Sequence, residues 1–292
     1  MLVKRIDLSD DGIVYMFAYI ADKSPEMPCM DTRPAVVICP GGAYHMTSDR
    51  EAEPIALSYL AKGFNAFVVR YSVRTHAAFP NPLVDLSKAM KYIRVHAEEF
   101  GIFPDKIAVG GFSAGGHLAA SLGTFWNDAE VQKLACCSGE ENKPNALILG
   151  YPVISATTKV HSQSIKTLMQ NITDEGERIA YKEKLSLEKH VGKHTPPAFI
   201  VHTYADNVVP VENSLVLANA MAASDVPFEL HIFQNGGHGL SLSNHITYNN
   251  EYSVDEDFEK WLELSVKWLW NLFGKNIPDG PFPKIPYELR AK

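Results

Sequence analysis

Val109-Gly110-Gly111-Phe112-Ser113-Ala114-Gly115-Gly116-His117 follows the short apolar run Lys106-Ile107-Ala108-Val109 and precedes Leu118-Ala119-Ala120-Ser121-Leu122. The first flank reads as a buried strand and the second as a helix. Between them lies Gly111-Phe112-Ser113-Ala114-Gly115, a G-x-S-x-G pattern at a strand-to-helix turn. When such a turn is sharp it forces its serine into a strained backbone conformation and exposes the hydroxyl. Glycine suits positions 111 and 115, because a Cβ at either would crowd the flanking strand or helix. The stretch predicts a nucleophile elbow with Ser113 as candidate nucleophile. A glycine-rich turn without chemistry is the alternative, and the partners of Ser113 must decide between them.

Working outward, strand and helix patterns alternate. Upstream, 3–9 and 13–22 read as two strands of a hairpin joined by Asp10-Asp11-Gly12. The continuous apolar run 35–39 has the pattern of a strand covered on both faces. A helix over 53–62 ends at Gly63, then come a strand over 65–71 and a helix over 82–99. Downstream follow a helix over 114–125, strands over 145–150 and 198–202, a helix over 211–223, a strand over 228–233 and a final helix over 256–273. Such alternation implies βαβ units. The expected fold class is α/β: one domain over 1–292, with a mostly parallel doubly wound sheet and an N-terminal antiparallel hairpin. Two segments break the rhythm. Residues 153–195 are too long for a plain loop and read as a helical cap insertion, whereas 276–292 hold four prolines and read as an extended tail.

Composition narrows the function. The 292 residues are 46% hydrophobic and 21% charged, ordinary for a globular chain, with a net charge of −7 and no basic run. Nothing tracks a phosphate backbone, so nucleic acid is not an expected partner. No apolar stretch suits a signal peptide or a bilayer span, which sets the expectation of a cytoplasmic protein without a membrane partner. The four cysteines, Cys29, Cys39, Cys136 and Cys137, lack metal-ligand spacing and read as reduced, small apolar residues.

A serine hydroxyl needs a base, and a histidine base needs a carboxylate to fix its tautomer. In a doubly wound sheet these groups gather beyond the C-terminal strand ends. After the strand 198–202, Asp206 is the candidate acid, since Asn207 beside it carries no charge. After 228–233 comes Gln234-Asn235-Gly236-Gly237-His238-Gly239, where His238 stands between glycines and is the candidate base. The order Ser113, Asp206, His238 is that of an α/β-hydrolase triad. His117 reads as a structural hydrogen-bonding residue, and His202 as one that packs or bonds locally. The strand 35–39 runs into Pro40-Gly41-Gly42-Ala43-Tyr44, whose backbone N–H groups can face a developing oxyanion together with the N–H of Ala114.

Taken together, Pro-Gly-Gly-Ala-Tyr at 40–44, Ser-Asp-Arg-Glu at 48–51 and Gly-Phe-Ser-Ala-Gly-Gly-His-Leu-Ala at 111–119 carry a family resemblance. Thr-Pro-Pro-Ala-Phe at 195–199, the stretch 206–212 and Gly-Gly-His-Gly-Leu at 236–240 extend it across most of the chain. The sequence resembles α/β-hydrolase esterases related to the hormone-sensitive-lipase group, and among them the xylanase-like or acetylxylan-esterase-like carboxylesterases. The resemblance implies Ser113 as nucleophile, His238 as base, Asp206 as its partner, and Gly42, Ala43 and Ala114 as oxyanion donors. Two departures stand out. The lipase-type motif begins with histidine and carries three glycines, whereas this loop has Pro40 and Ala43. Alanine still donates its N–H, but its methyl group and Tyr44 are expected to narrow the pocket.

The expectation is a serine carboxylesterase for short-acyl esters of small molecules, acetylated sugars among them, needing no metal or cofactor. The cap over 153–195 is expected to shape the acyl or alcohol pocket, with Tyr44 and Tyr204 near its floor. Its charges, Lys166, Asp174, Glu175 and Arg178 among them, argue against a true lipase. The alternatives are an amidase, arylformamidase or peptidase of the same fold, or a binding protein that has kept the fold without the chemistry. The apolar stripe of the last helix, widened by Trp268 and Trp270, is with the tail the candidate interface of a homodimer.

Overall fold

The structure is a computed structural model that describes residues 1–251 and 253–275. Eight strands, β1 (Leu2–Asp7), β2 (Tyr15–Ile20), β3 (Arg33–Cys39), β4 (Asn65–Arg70), β5 (Ile102–Phe112), β6 (Ala146–Gly150), β7 (Ala198–Thr203) and β8 (Phe228–Phe233), form one sheet. Their order is β1-β2-β4-β3-β5-β6-β7-β8. The hairpin is antiparallel from Leu2 opposite Ile20 to Asp7 opposite Tyr15, and β2 joins β4 antiparallel. Every other pair is parallel.

The central strands are buried on both faces, so their side chains alternate between two cores. Val37, Cys39, Val109 and Leu149 point into one, with Leu86 and Met90 of α2 (Asn81–Val95), Leu118 and Leu122 of α3 (Ala114–Phe125), and Leu217 of α7 (Glu212–Ala223). Val36, Ile38, Ala108 and Ile148 point into the other, with Ile55 and Tyr59 of α1 (Glu53–Ala61) and Trp261 and Leu269 of α8 (Trp261–Phe273). This covering on both faces is why the strands read as unbroken apolar runs.

Differences from expectation fall at element ends and in short helices. A helix α4 (Ala129–Leu134) was not anticipated; Asp128 caps it by accepting from the N–H groups of Glu130 and Val131. The last helix starts at Trp261 and not at 256, because the Asp255 side chain takes the Phe258 N–H at 2.8 Å and opens a tight turn over Phe258–Lys260 first. The segment 153–195 folds into α5 (Ser162–Leu168), α6 (Glu175–Lys184) and a short 3₁₀ turn, Leu187–Lys189. Trp268 lies against Phe199 and Trp270 against Phe64, so both are engaged within the chain. The expected tail, 276–292, lies outside the described residues.

Candidate active site

β5 passes into α3 through a single residue, Ser113, at φ 55° and ψ −120°. A non-glycine residue at this positive φ is strained by roughly 1–3 kcal/mol and persists only where its surroundings fix it. Here the Ser113 N–H donates to Gly150 O at 3.0 Å, and Ser113 O accepts from the N–H groups of His117 and Val153, each at 3.1 Å. The glycines are required by close backbone approach. A Cβ on Gly111 would lie 2.0 Å from Gly115 O, and one on Gly115 would lie 2.1 Å from Cys39 O.

The loops after β7 and β8 bring Asp206 and His238 to this turn. His238 Nδ1 lies 2.7 Å from Asp206 Oδ2, and His238 Nε2 lies 2.8 Å from Ser113 Oγ. A carboxylate only accepts, so Nδ1 carries the proton and Nε2 presents its lone pair to the serine hydroxyl. Gly236 at φ 106° and Gly239 at φ 74° make the turns that lift the imidazole there. Asp206 Oδ1 accepts from the N–H groups of Val208 and Val209, both at 2.9 Å. Burial pushes its carboxyl up, but hydrogen bonds from His202, His238 and the Val209 N–H prevail and hold it well below the usual carboxylate range.

His202 was read as a locally bonded strand residue, and it is one: Nδ1 meets Ser214 Oγ at 2.7 Å and Nε2 donates to Val209 O at 2.9 Å. It also reaches the site, with Nε2 3.3 Å from Asp206 Oδ2. Its spacing of four residues from Asp206 is a faint signal that only the loop geometry makes legible. His117 is hydrogen-bonded as expected, and buried as well, accepting from the Tyr44 hydroxyl at Nδ1 (2.9 Å) and donating from Nε2 to Leu185 O (3.1 Å). Burial lowers its pKa to about 4 against a weaker opposing effect of the Leu185 carbonyl.

After β3, Gly42 at φ 126° and Ala43 at φ 55° turn the backbone beside Ser113. A Cβ on Gly42 would meet Met46 O at 2.3 Å. The N–H groups of Gly42, Ala43 and Ala114 donate to no protein acceptor among the described residues. Beneath the loop lies Glu51, a residue the sequence reading quoted but gave no role. Its Oε2 accepts from the Gly41 N–H at 2.8 Å and its Oε1 from the Tyr151 hydroxyl at 2.7 Å.

Neither Tyr44 nor Tyr204 lines the cavity that opens at the candidate base. Tyr44 is 1% exposed, its hydroxyl spent on His117 and its ring edge-on to Tyr71 at 5.9 Å. Tyr204 is 71% exposed. That cavity, of ≈ 640 Å³, opens beside His238, walled by Arg50, Asn207, Asn249, Glu251 and Asp255 among others. No residue of 153–195 lines it, so the cap does not shape this cavity. Helix α5 instead packs over the 74–79 turn, where Leu168 O accepts from the Phe79 N–H at 2.9 Å. Among the described residues no group of three or more His, Cys, Asp or Glu is placed to hold a metal ion, and no helix is long and apolar enough to cross a membrane.

The BD-FAE family model matches residues 25–221. The chain is 36% identical over 251 residues to endo-1,4-beta-xylanase B of Butyrivibrio fibrisolvens, covering 82% of this chain and 37% of that protein. It is 30% identical over 263 residues to an acetylxylan esterase of Xylanibacter ruminicola, covering 88% of this chain and 50% of that one. The chain thus spans half or less of the length of these relatives. MGS-M1, an α/β-hydrolase enzyme from a Medee basin deep-sea metagenome library, superposes with TM-score 0.74 at 38% identity, covering 93% of this chain and 98% of that one. With two thirds of its length matched by one family model and a superposition at TM-score 0.74 on a solved α/β-hydrolase, the chain belongs to the BD-FAE family and has the α/β-hydrolase fold.

Proposed function

We propose that the chain is a serine carboxylesterase that cleaves short-acyl esters of small molecules, with acetylated sugars as the substrate class. The observation that carries this reading is the continuous line of hydrogen bonds Asp206–His238–Ser113, at 2.7 and 2.8 Å, beside N–H groups with no protein acceptor among the described residues. Ser113 Oγ attacks the ester carbonyl as His238 Nε2 takes its proton, and Asp206 holds the imidazolium that forms. The N–H groups of Gly42, Ala43 and Ala114 receive the oxyanion. His238 then protonates the leaving alcohol, and water repeats the cycle on the acyl-enzyme. The acetylxylan esterase among the relatives favours an acetyl group on a sugar, and the polar walls of the cavity beside His238 suit a hydroxylated alcohol. The test is hydrolysis of a p-nitrophenyl series from acetate to decanoate, with Ser113→Ala alongside. Activity confined to the short esters, with a loss of kcat of about 10⁶-fold in the variant, is the expected outcome. A variant that keeps more than a few per cent of the activity removes the assignment.

A further inference from the structure

Glu51 is 4% exposed, a carboxyl group taken out of water with two hydrogen bonds and, among the described residues, no cation bonded to it. Such burial is costly, and the site retains it in a turn, Asp49–Glu51, that reaches both loops of the active centre. On one side is the oxyanion loop. Gly41 is wedged so tightly that a Cβ there would lie 2.6 Å from Glu51 Oε2, 2.7 Å from Phe112 O and 3.0 Å from Ser113 Cβ. The Gly41 N–H bonded to Glu51 therefore fixes the peptide that leads directly into Gly42. On the other side is the loop that bears the base. The Tyr151 hydroxyl, donating to Glu51, accepts at 2.9 Å from the N–H of Ser241, three residues beyond His238. The Tyr151 ring stands edge-on to the His238 imidazole at 5.1 Å, and the Ser241 hydroxyl donates back to Arg50 O at 2.5 Å.

We infer that Glu51, acting through Tyr151, is a positioning residue that holds the oxyanion donors of the Gly42–Ala43 loop and the His238 imidazole in one mutual register. The inference rests on the proposed esterase reaction. Neither side chain is required to touch the substrate. Their effect is on where the donors and the base stand when Ser113 adds to the carbonyl, and a displacement of about 1 Å in such groups costs about 10²-fold in rate. A group that acts only on this geometry lowers kcat and leaves ground-state binding alone.

The experiment compares Glu51→Gln, Glu51→Ala and Tyr151→Phe in the full chain, on p-nitrophenyl acetate. It adds the inhibition constant of a short trifluoromethyl ketone, which becomes an oxyanion only when Ser113 adds to it. Glutamine keeps an acceptor for the Gly41 N–H and alanine does not. The expected losses in kcat are therefore about tenfold for Glu51→Gln and Tyr151→Phe and about 100-fold for Glu51→Ala, with KM within about twofold. The ketone should weaken in step with kcat/KM. Tyr151→Phe keeps the buried ring, so a folded protein is retained for measurement should Glu51→Ala fail to fold. Folded Glu51→Gln and Tyr151→Phe variants with kcat within twofold of the parent, or with losses confined to KM, overturn the inference while Ser113-dependent hydrolysis stands. If hydrolysis by the parent does not depend on Ser113, the esterase reading itself fails.

Discussion

Asp206 collects more donors than any other side chain at the centre: two imidazoles on Oδ2 and two backbone N–H groups on Oδ1. Each of them needs a lone pair of the carboxylate to accept it. In Asp206→Asn the amide nitrogen cannot accept, and the His238 proton is driven to the wrong ring nitrogen. A fall in kcat of about 10⁴-fold with an unchanged circular dichroism spectrum is expected; a fall of less than tenfold would remove Asp206 from the mechanism. At this scale the sequence was most informative where chemistry follows a strand end, as it does for Ser113, Asp206 and His238. It failed at Tyr44. Consecutive residues Ala43 and Tyr44, at φ 55° and 60°, turn the ring inward, and no side-chain pattern announces a left-handed pair of non-glycines. Glu51 and Tyr151 escaped for another reason. They lie 100 positions apart, and their bond exists only once the sheet has formed.

Among the elements, α3 comes very close to the end of β3. In Gly115→Ala the added carbon would meet backbone at 2.1 Å from Cys39 O and 2.6 Å from Pro40 O, atoms that cannot rotate away. The helix must move off the sheet. The variant is expected to lose at least about 3 kcal/mol in urea unfolding, or to be recovered only as aggregate. Gly237→Ala is the contrast: nothing lies within 4 Å and its φ is not positive, so its thermal midpoint should stay within about 2 °C of the parent. A reversed ranking would mean that the turn relaxes in a way the packing does not suggest. Strands were legible because apolar runs buried on both faces leave an unmistakable trace. Helix α4 was not, since six residues cannot establish a period and its stability lies in the Asp128 cap. The start of α8 was misread because Asp255 satisfies a backbone donor in a turn, an option that acidic residues also offer to helices.

For the whole molecule, pH dependence follows from His117, His161 and Asp206, in two separate windows. His117 titrates at about 4 in the fold against 6.5 ordinarily, so only the unfolded chain takes up its proton between those values. Its contribution is complete above pH 6.5 and is lost as the pH falls toward 4, up to about 3 kcal/mol. His161, lowered by burial and by neighbouring His238, acts in the same direction. Asp206, held low in the fold, adds stability present above the unfolded carboxylate range and lost below it. Urea midpoints should fall from pH 7 to pH 4.5, with a shallower slope in His117→Gln; equal slopes would assign the effect elsewhere. The cavity beside His238 was the least legible feature at this scale. Its walls among the described residues come from Arg50, Ala205, Asn207, Val208 and the stretches 236–238, 249–251 and 253–255, and none of these carries a pattern that marks a wall.

The hydrogen-bonded line across Asp206, His238 and Ser113 also bears on how the chain acquires its activity. Its members sit at the ends of β5, β7 and β8, and the loop proposed to hold the oxyanion at the end of β3, so no fragment and no partly registered sheet can assemble the set. Hairpins and helices form in microseconds, but parallel pairings between distant segments come late. In a refolding reaction started from denaturant, ester hydrolysis is therefore expected to return after the far-ultraviolet signal. Recovered hydrolysis would then measure the fraction of chains in which β3, β5, β6, β7 and β8 had all found their places.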